Sequence, residues 1–410
     1  MNNTPELLSP AGDLDKMRFG IAYGADAVYM AGTRFGMRAA ATNFDDNALR
    51  EGIAYAHAHG VKCYITVNIM PSNRDLPALP AYLELLQDAG ADALIIADVG
   101  VLRMARRYAP KVPVHISTQT SILNHEAANY WADEGAERIV LARELSLEEI
   151  AEIRAKTPKE LEIEAFVHGA MCISYSGRCL ISQYMTGRDA NHGACAQPCR
   201  WNYSLMEEKR PGQFFPVEED GRGTYLYNSK DMCMIEHIPE LIEAGITSFK
   251  IEGRNKTAYY AACVTGAYRA AIDAYRKDPN GFVLPQFCRD EVNKVSHREY
   301  YTGFYFGNQE NGQHYGDSQY IREYEVVGMP VECDDSGKAV FALKNRFFDG
   351  EELELIQPGQ APYVFRAENV TDDEGTKREL FNVPQMRIHF AFPFRVSEWA
   401  ILRKVKERPE

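Results

Sequence analysis

The chain has 410 residues, 45% of them apolar and 25% charged, with a formal net charge of −13 at pH 7. That length allows two domains, and the balance is that of an ordinary globular protein. The acidic charge excludes a protein that coats nucleic acid indiscriminately, because phosphate binding needs a positive face.

A short pattern recurs from the N-terminus onward: a helical segment ends in glycine and an apolar strand follows at once. It appears as YGADAVYMAG from Tyr23, HGVKCYITVN from His59, AGADALIIAD from Ala89, EGAERIVLAR from Glu134 and AGITSFKIEG from Ala244. Gly24, Gly60, Gly90, Gly135 and Gly245 stand where a helix end wants a left-handed residue. The runs after them are near-continuous Val, Ile, Leu, Ala and Tyr, as in strands covered on both faces of a parallel sheet. In chain order the predicted strands are Glu6–Ser9, Ala27–Gly32, Lys62–Asn68, Ala93–Asp98, Val114–Thr120, Arg138–Arg143, Glu162–His168 and Ser248–Gly253. Helices are predicted between them, among them Asp46–His59, Pro80–Ala89, Glu126–Glu134, Leu147–Ala155 and Ile235–Ala244, with Thr257–Arg276 after the last strand. Eight such repeats in residues 1–280 predict an α/β fold, a (β/α)8 TIM-like barrel. An open doubly wound sheet is the alternative, weakened by the lack of a G-x-G-x-x-G after the first strand.

KDPNGFVLPQF, after Arg276, reads as a boundary, so residues 281–318 are expected to be a linker. Residues 319–410 alternate in short strands, YEVVGMPVEC, KAVFALK, ELELIQP, YVFRAENV and MRIHFAF, which predict a small C-terminal all-β barrel. One connection is far longer than the ~2–6 residues usual between strand and helix. It follows the seventh strand over residues 169–233 and carries Cys172, Cys179, Cys195 and Cys199. Loops on that side of a barrel form the face where chemistry happens, so the cysteine loop is expected to be an active-site insertion.

The cysteine spacing, C-x6-C-x15-C-x3-C, packs four thiols into 28 positions among Gly, Arg, Ser and Asn. Buried cysteines that merely fill space scatter through a chain. The spacing is too irregular for a zinc ribbon, which repeats a close pair, and suits a thiolate cage for an iron–sulfur cluster better. Cys63, Cys263, Cys288 and Cys333 read as packing residues, whereas Cys233 closes the insertion and competes for a place as ligand.

At the strand exits other polar residues gather. His168 closes the seventh strand, where it would donate a proton or orient a substrate, or else be a histidine satisfied inside the barrel mouth. Lys250, Glu252 and Arg254 alternate along FKIEGR and so share one face. Buried charges in that pattern need each other or a charged ligand, so either an internal ion-pair network or a site for a small anion is expected. Arg143 and Glu144 end the sixth strand, and Arg34 and Arg38 follow the second. Asn68, Asp98, His115 and Gln119 are weaker candidates of the same kind. Basic strips that would help hold RNA are Arg103, Arg106, Arg107 and Lys111, and the tail Arg403, Lys404, Lys406 and Arg408; solvated faces explain both equally well. No G-x-S-x-G elbow or H-E-x-x-H helix is present. A cysteine nucleophile with His168 or His192 as base would leave three clustered cysteines unexplained.

Apolar runs fall short of the ~18–20 residues that span a bilayer, and the first residues lack the basic-then-apolar pattern of a signal peptide. A cytoplasmic protein without membrane contact is therefore expected, with its nine cysteines as thiols or ligands.

ELLSPAGD, GADAVYMAG, EAFVHGAMCISYSGRCLIS, GACAQPCRW, NSKDM and FKIEGR together resemble the collagenase-like peptidase family U thirty-two, over essentially the whole chain. The resemblance implies, despite the peptidase label, an oxygen-independent hydroxylase with a 4Fe–4S cluster acting on tRNA, ribosomal RNA or a quinone ring. HGAMCISYSGRCLIS with the C-x3-C-R-W, NSKD and KIEGR stretches is most similar to members that convert the wobble uridine of a tRNA anticodon loop to 5-hydroxyuridine with prephenate. Carried over, it makes Cys172, Cys179, Cys195 and Cys199 the cluster ligands, with Cys199 or Cys233 as the fourth. From their places at the strand exits, and not from the resemblance, catalytic roles are expected for His168, Arg143 and Glu252, and anion binding for Lys250, Arg254 and Arg38. A homologous partner chain is among the partners the resemblance allows.

Overall fold

The structure is a computed structural model and describes residues 4–37, 42–172, 174–175, 179–203, 205–206, 214–215, 219–220, 223–225, 230–307 and 320–406. Eight parallel strands form its centre: β1 (Glu6–Pro10), β2 (Ala27–Met30), β3 (Lys62–Val67), β4 (Ala93–Ile96), β5 (Val114–Ile116), β6 (Arg138–Val140), β7 (Glu162–Ala170) and β8 (Ser248–Ile251). Each pairs with the next, β8 pairs with both β7 and β1, and the sheet closes into the expected barrel. Helices α1 (Leu14–Ala22), α2 (Asp46–Ala58), α3 (Leu79–Ala89), α4 (Val99–Tyr108), α5 (His125–Asp133) and α6 (Leu147–Ala155) alternate with the first seven strands. The chain then runs through α7 (Ile181–Thr186), inside the cysteine insertion, and α8 (Ile238–Glu243) to β8 and α9 (Ala258–Lys277).

Local chemistry sets these boundaries. Asp13, Asp45, Asp98, Asn124, Ser146 and Thr257 each accept a first-turn backbone N–H, which satisfies donors that a helix start leaves open. The five recurrent glycines all have positive φ, between 70° and 99°, and end their helices as the repeat requires. Strands β5 and β6 stop at Ile116 and Val140, several residues before their expected ends. After Ile116 the chain winds into a 3-10 turn at Thr118–Thr120 and spends its polar groups there.

Residues 281–307 depart from the expected linker. They carry α10 (Gln286–Asn293), packed on α9, and the short strand Tyr300–Tyr301. That strand extends the barrel sheet through Asp231–Cys233, which pairs antiparallel with the end of β7. Cys288, Val292 and Val295 are buried in the barrel's outer core, and that burial is what orders the segment.

The C-terminal strands β9 (Tyr324–Cys333), β10 (Lys338–Leu343), β11 (Glu352–Ile356), β12 (Tyr363–Arg366), β13 (Thr371–Asp372), β14 (Arg387–Ala391) and β15 (Ile401–Val405) make one antiparallel sheet, ordered β12-β11-β15-β9-β10-β14-β13. It curls into a half-barrel around Phe341, Phe347, Leu353 and Phe381. The domain is locked to the barrel. Arg403 of β15, fully buried, donates to Glu291 of α10 (2.7 Å), Glu354 of β11 (2.8 Å) and the Tyr259 hydroxyl of α9 (3.1 Å). Trp399 packs edge-on against Phe19 of α1.

The candidate active site

Inside the barrel the fill is divided. One part is a small apolar group, Leu8, Ala27, Tyr29, Tyr64, Ala93 and Ile95. The rest is an ion-pair network from β1, β6, β7 and β8. Arg138, 2% exposed, binds Glu6 (2.6 Å), Glu162 (2.7 Å) and Glu164 (3.1 Å), while Lys250 binds the other oxygen of Glu164 at 2.6 Å. Tyr64 and Ser248 donate to Glu6. Burial pushes the Glu6 carboxyl up, but Arg138 and those hydrogen bonds outweigh it and hold it below the usual range. His115 sits edge-on to Tyr64 in this layer and is held neutral by burial beside Arg138 and Lys250.

Above the network, at the C-terminal ends of the strands, a cavity of about 130 Å³ opens. Cys172, Cys179, Cys195 and Cys199 all line it, and so do Arg143, Lys250, Glu252 and Arg254. Tyr29, Thr66, Asn68, Ser117, Gln119, Phe166, Tyr175 and Asn191 complete much of the wall. The three alternating charges of FKIEGR therefore do share one face, and that face looks into the same space as the cysteines.

Close backbone approaches place these groups. Gly169, at φ 109°, lies against the carbonyl of Glu252, and Gly12 against the carbonyl of Arg254; a Cβ at either would collide with that backbone. The Lys250 ammonium lies 4.4 Å from the Tyr29 ring centre, and the Arg143 guanidinium 5.3 Å from that of Phe166. Arg143 donates to the Ala170 carbonyl (3.1 Å), and Arg254 to the Met37 carbonyl and the Thr66 hydroxyl. Tyr29 donates to the Ile251 carbonyl (2.9 Å) and to Glu252 (3.4 Å). Asn68, Ser117 and Gln119 interlock: Asn68 Nδ2 donates to Gln119 Oε1 (2.7 Å), Ser117 Oγ to the same oxygen (2.5 Å), and Gln119 Nε2 to the Asn68 carbonyl (2.6 Å).

The insertion docks over this mouth by its own bonds. Met70 N donates to the Asn191 carbonyl, Ala196 N to Ser182 Oγ, and Arg188 to the Ala194 carbonyl. Gln197 holds a left-handed backbone (φ 58°) just before Pro198, a conformation costly for a non-glycine residue in that place. It directs the Gln197 N–H toward Cys195 Sγ at 3.4 Å. No disulfide joins any of the nine cysteines. Among the described residues no three of His, Cys, Asp and Glu converge on a point where one metal ion would bind. A four-iron cubane is held instead by four thiolates spread round the cluster, and hydrogen bonds to the sulfurs tune it. Four thiols on the wall of one cavity, one of them receiving an N–H, fit such a group by their donor chemistry.

Several expected site residues stand elsewhere. His168 is 1% exposed and does not line the cavity; its ring lies among Tyr260, Tyr268 and Tyr300, with Nε2 3.4 Å from the Tyr300 hydroxyl. Burial, with His297 and Lys256 nearby, pushes its pKa down to about 3, so it is neutral at physiological pH. Cys233 pairs with His168 across the strands, outside the cavity, and burial pushes its thiol up to about 12. Arg34 binds Asp46 through two contacts of 2.8 Å, and Asp98 caps α4. Burial raises the Glu144 carboxyl despite Arg143. Arg38 and Arg408 lie outside the described residues. Of the tail strip, Arg403 and Lys404 are buried, the latter on Glu351 at 2.8 Å, while Lys406 is exposed. Arg106 is bonded to Glu134.

Arg138 and Glu164 were not singled out from the sequence, although the rule applied to FKIEGR finds the second: Glu162 and Glu164 alternate in a strand that is otherwise buried. Tyr29, Phe166 and Tyr175 carried no comparable signal.

Residues 12–315 match the family model described as Peptidase family U32, and residues 322–403 that of the Peptidase family U32 C-terminal domain. The chain is 38% identical over 404 residues to tRNA hydroxylation protein P1 of Bacillus subtilis strain 168, covering 98% of this chain and 95% of that one. It is 37% identical over 417 residues to tRNA hydroxylation protein P of Escherichia coli strain K12, with 90% of each covered. It is also 36% identical over 332 residues to the 23S rRNA 5-hydroxycytidine C2501 synthase of the same strain, covering 80% of this chain and 48% of that one. A solved U32 peptidase structure, Mk0906, aligns over 61% of this chain and 93% of its own at 15% identity, with a TM-score of 0.39. With both of its domains matched and full-length relatives above one-third identity, the chain belongs to peptidase family U32.

Proposed function

We propose that this protein hydroxylates tRNA, converting the wobble uridine of an anticodon loop to 5-hydroxyuridine with prephenate as co-substrate and a 4Fe–4S cluster as cofactor. The observation that carries this reading is one cavity walled by four clustered cysteines and three cations. Relatives that match nearly the whole chain are named as tRNA hydroxylation proteins, which supports RNA as the substrate.

Cys172, Cys179, Cys195 and Cys199 would hold the cluster, with Cys199 preferred to Cys233 because only the former lines the cavity among the described residues. Bound there, the cluster supplies one-electron chemistry beside the substrate ring. Arg143, Lys250 and Arg254 set positive charge around a space sized for a small anion, and guanidinium forks match the carboxylates of a dicarboxylate such as prephenate. Tyr29 and Phe166 give aromatic faces beside those cations. Asn68, Ser117 and Gln119, pinned by one another, present amide edges to a pyrimidine. A wobble base is unpaired and enters such a pocket without melting a helix. Glu252 is the carboxylate at the pocket wall, positioned for a proton; His168, sealed away and neutral, is not.

Peptidase chemistry fits less well. A cysteine nucleophile needs a base within hydrogen-bond reach. Among the described residues lining the cavity there is no histidine, and His192 is bonded to Asp189 at 2.7 Å.

Nucleoside mass spectrometry of tRNA tests the reading, using a bacterium without this modification that carries either the gene or its Cys172→Ser form. 5-Hydroxyuridine or its derivatives should appear with the intact gene alone. Absence of the nucleoside although the purified protein holds iron and sulfide would mean either that a partner chain is missing or that the target is another ring, with ribosomal RNA examined next.

A further inference from the structure

A second space adjoins the cavity and is much larger, about 760 Å³ against about 130 Å³. The two share Glu252, and Gln197, from between Cys195 and Cys199, lines the larger one. The groove runs from the cysteine insertion along the start of α9 to β9 and the exposed Lys344 of the C-terminal sheet. In its wall Lys256 and Arg322 lie 4.3 and 5.7 Å from the Tyr320 ring centre, and Arg298, buried and outside the lining, lies 4.9 Å from it. Ser296 positions the first two, its carbonyl accepting from Lys256 (2.9 Å) and its hydroxyl bonding Arg322 (3.2 Å).

An aromatic ring beside cations is the arrangement that grips a single strand: bases stack on the ring while cations follow the phosphates. The cavity admits one ring; the groove has room for the chain on either side of it. The locked seat of the β domain makes the groove's two walls a fixed pair rather than surfaces that must be brought together.

We infer that this groove is the track for the unpaired RNA strand flanking the target nucleotide, with Tyr320 as a stacking platform and Lys256, Arg322 and Lys344 as phosphate contacts. The inference rests on the RNA reading above and assigns the C-terminal domain a direct part in holding RNA.

The test is binding of a fluorescent anticodon stem-loop RNA to the full-length, anaerobically purified protein across a salt series. Tyr320→Ala should weaken binding roughly tenfold, and Tyr320→Phe should restore it, as loss and recovery of stacking require. The double variant Lys256→Ala/Arg322→Ala should lower the slope of log affinity against log salt by about 1.4, near 0.7 for each lost single-strand phosphate contact. Arg322→Glu, at an exposed position, guards against misfolding and should weaken binding further while iron content stays unchanged. If the wild type binds RNA and all these variants match it in affinity and slope, the groove assignment is overturned while the RNA reading stands. If the wild type binds no RNA at any salt, that reading falls and the groove with it.

Discussion

Replacing Glu164 by glutamine removes the carboxylate that two buried cations share. Its oxygens lie 2.6 Å from Lys250 Nζ and 3.1 Å from Arg138 Nη1, and Glu164 itself is fully buried. Arg138 keeps Glu6 and Glu162 as partners. Lys250, 4% exposed, keeps the faces of Tyr29 and Phe166, worth about 2 kcal/mol to a desolvated ammonium. Removing one partner of a buried pair costs about 3–5 kcal/mol, because the other charge is left in a low dielectric. Glu164→Gln should therefore lower stability by about 3–5 kcal/mol at pH 7, read as the shift in urea midpoint multiplied by the slope. A paired replacement, Glu164→Leu with Lys250→Met, should recover at least half of the loss, since a buried ion pair and a well-packed apolar pair are similar in stability. A single-variant loss under about 1 kcal/mol would refute the argument that this network neutralises the floor of the cavity.

Serine in place of Cys172, Cys179, Cys195 or Cys199 should cut bound iron and acid-labile sulfide to a small fraction of wild type, and Cys233→Ser should not; the reverse result would exchange Cys233 for Cys199. Gln197→Gly should raise the urea-derived stability by about 1 kcal/mol by relieving the left-handed backbone before Pro198, and a destabilised variant would show that the side chain's own contacts outweigh the strain. His168, with its folded pKa pushed down to about 3, binds its proton only when unfolded across the range from about 6.5 down to 3. It therefore makes stability fall as pH drops through that window, and His168→Gln should flatten the fall by about 1.4 kcal/mol per pH unit; an unchanged slope would mean that His168 is open to solvent.

Much of this architecture is local in origin and was legible. The helix–glycine–strand repeat is written in neighbouring residues, because a left-handed helix end and an apolar parallel strand each need particular residue types in sequence. The cysteine loop stood out by density and by the length of the connection that carries it. The alternation of Lys250, Glu252 and Arg254 placed them on one face, since a strand turns its side chains over every second residue. Where the reading went astray, distance along the chain was the reason. His168 and Cys233 look like site residues in sequence, yet the short strand Asp231–Cys233 folds back on β7 and, with Tyr300 from the supposed linker, seals them among aromatic rings. Arg403 and Lys404 read as a basic tail but are buried against acids from elements distant in sequence.

By itself, then, the sequence determined the repeat, the closed barrel it builds and the presence of a thiol-rich loop on its catalytic side, because periodicity and capping act within a few residues. Tertiary structure alone decided which charges are spent on one another and which face the cavity. Lys250 is shared between Glu164 and the cavity, Glu164 and Arg138 lie beneath it, and the groove beside Glu252 exists only where barrel and β domain meet. Charge pairing and cavity shape depend on distances between residues remote in the chain, and closure of the barrel sets those distances.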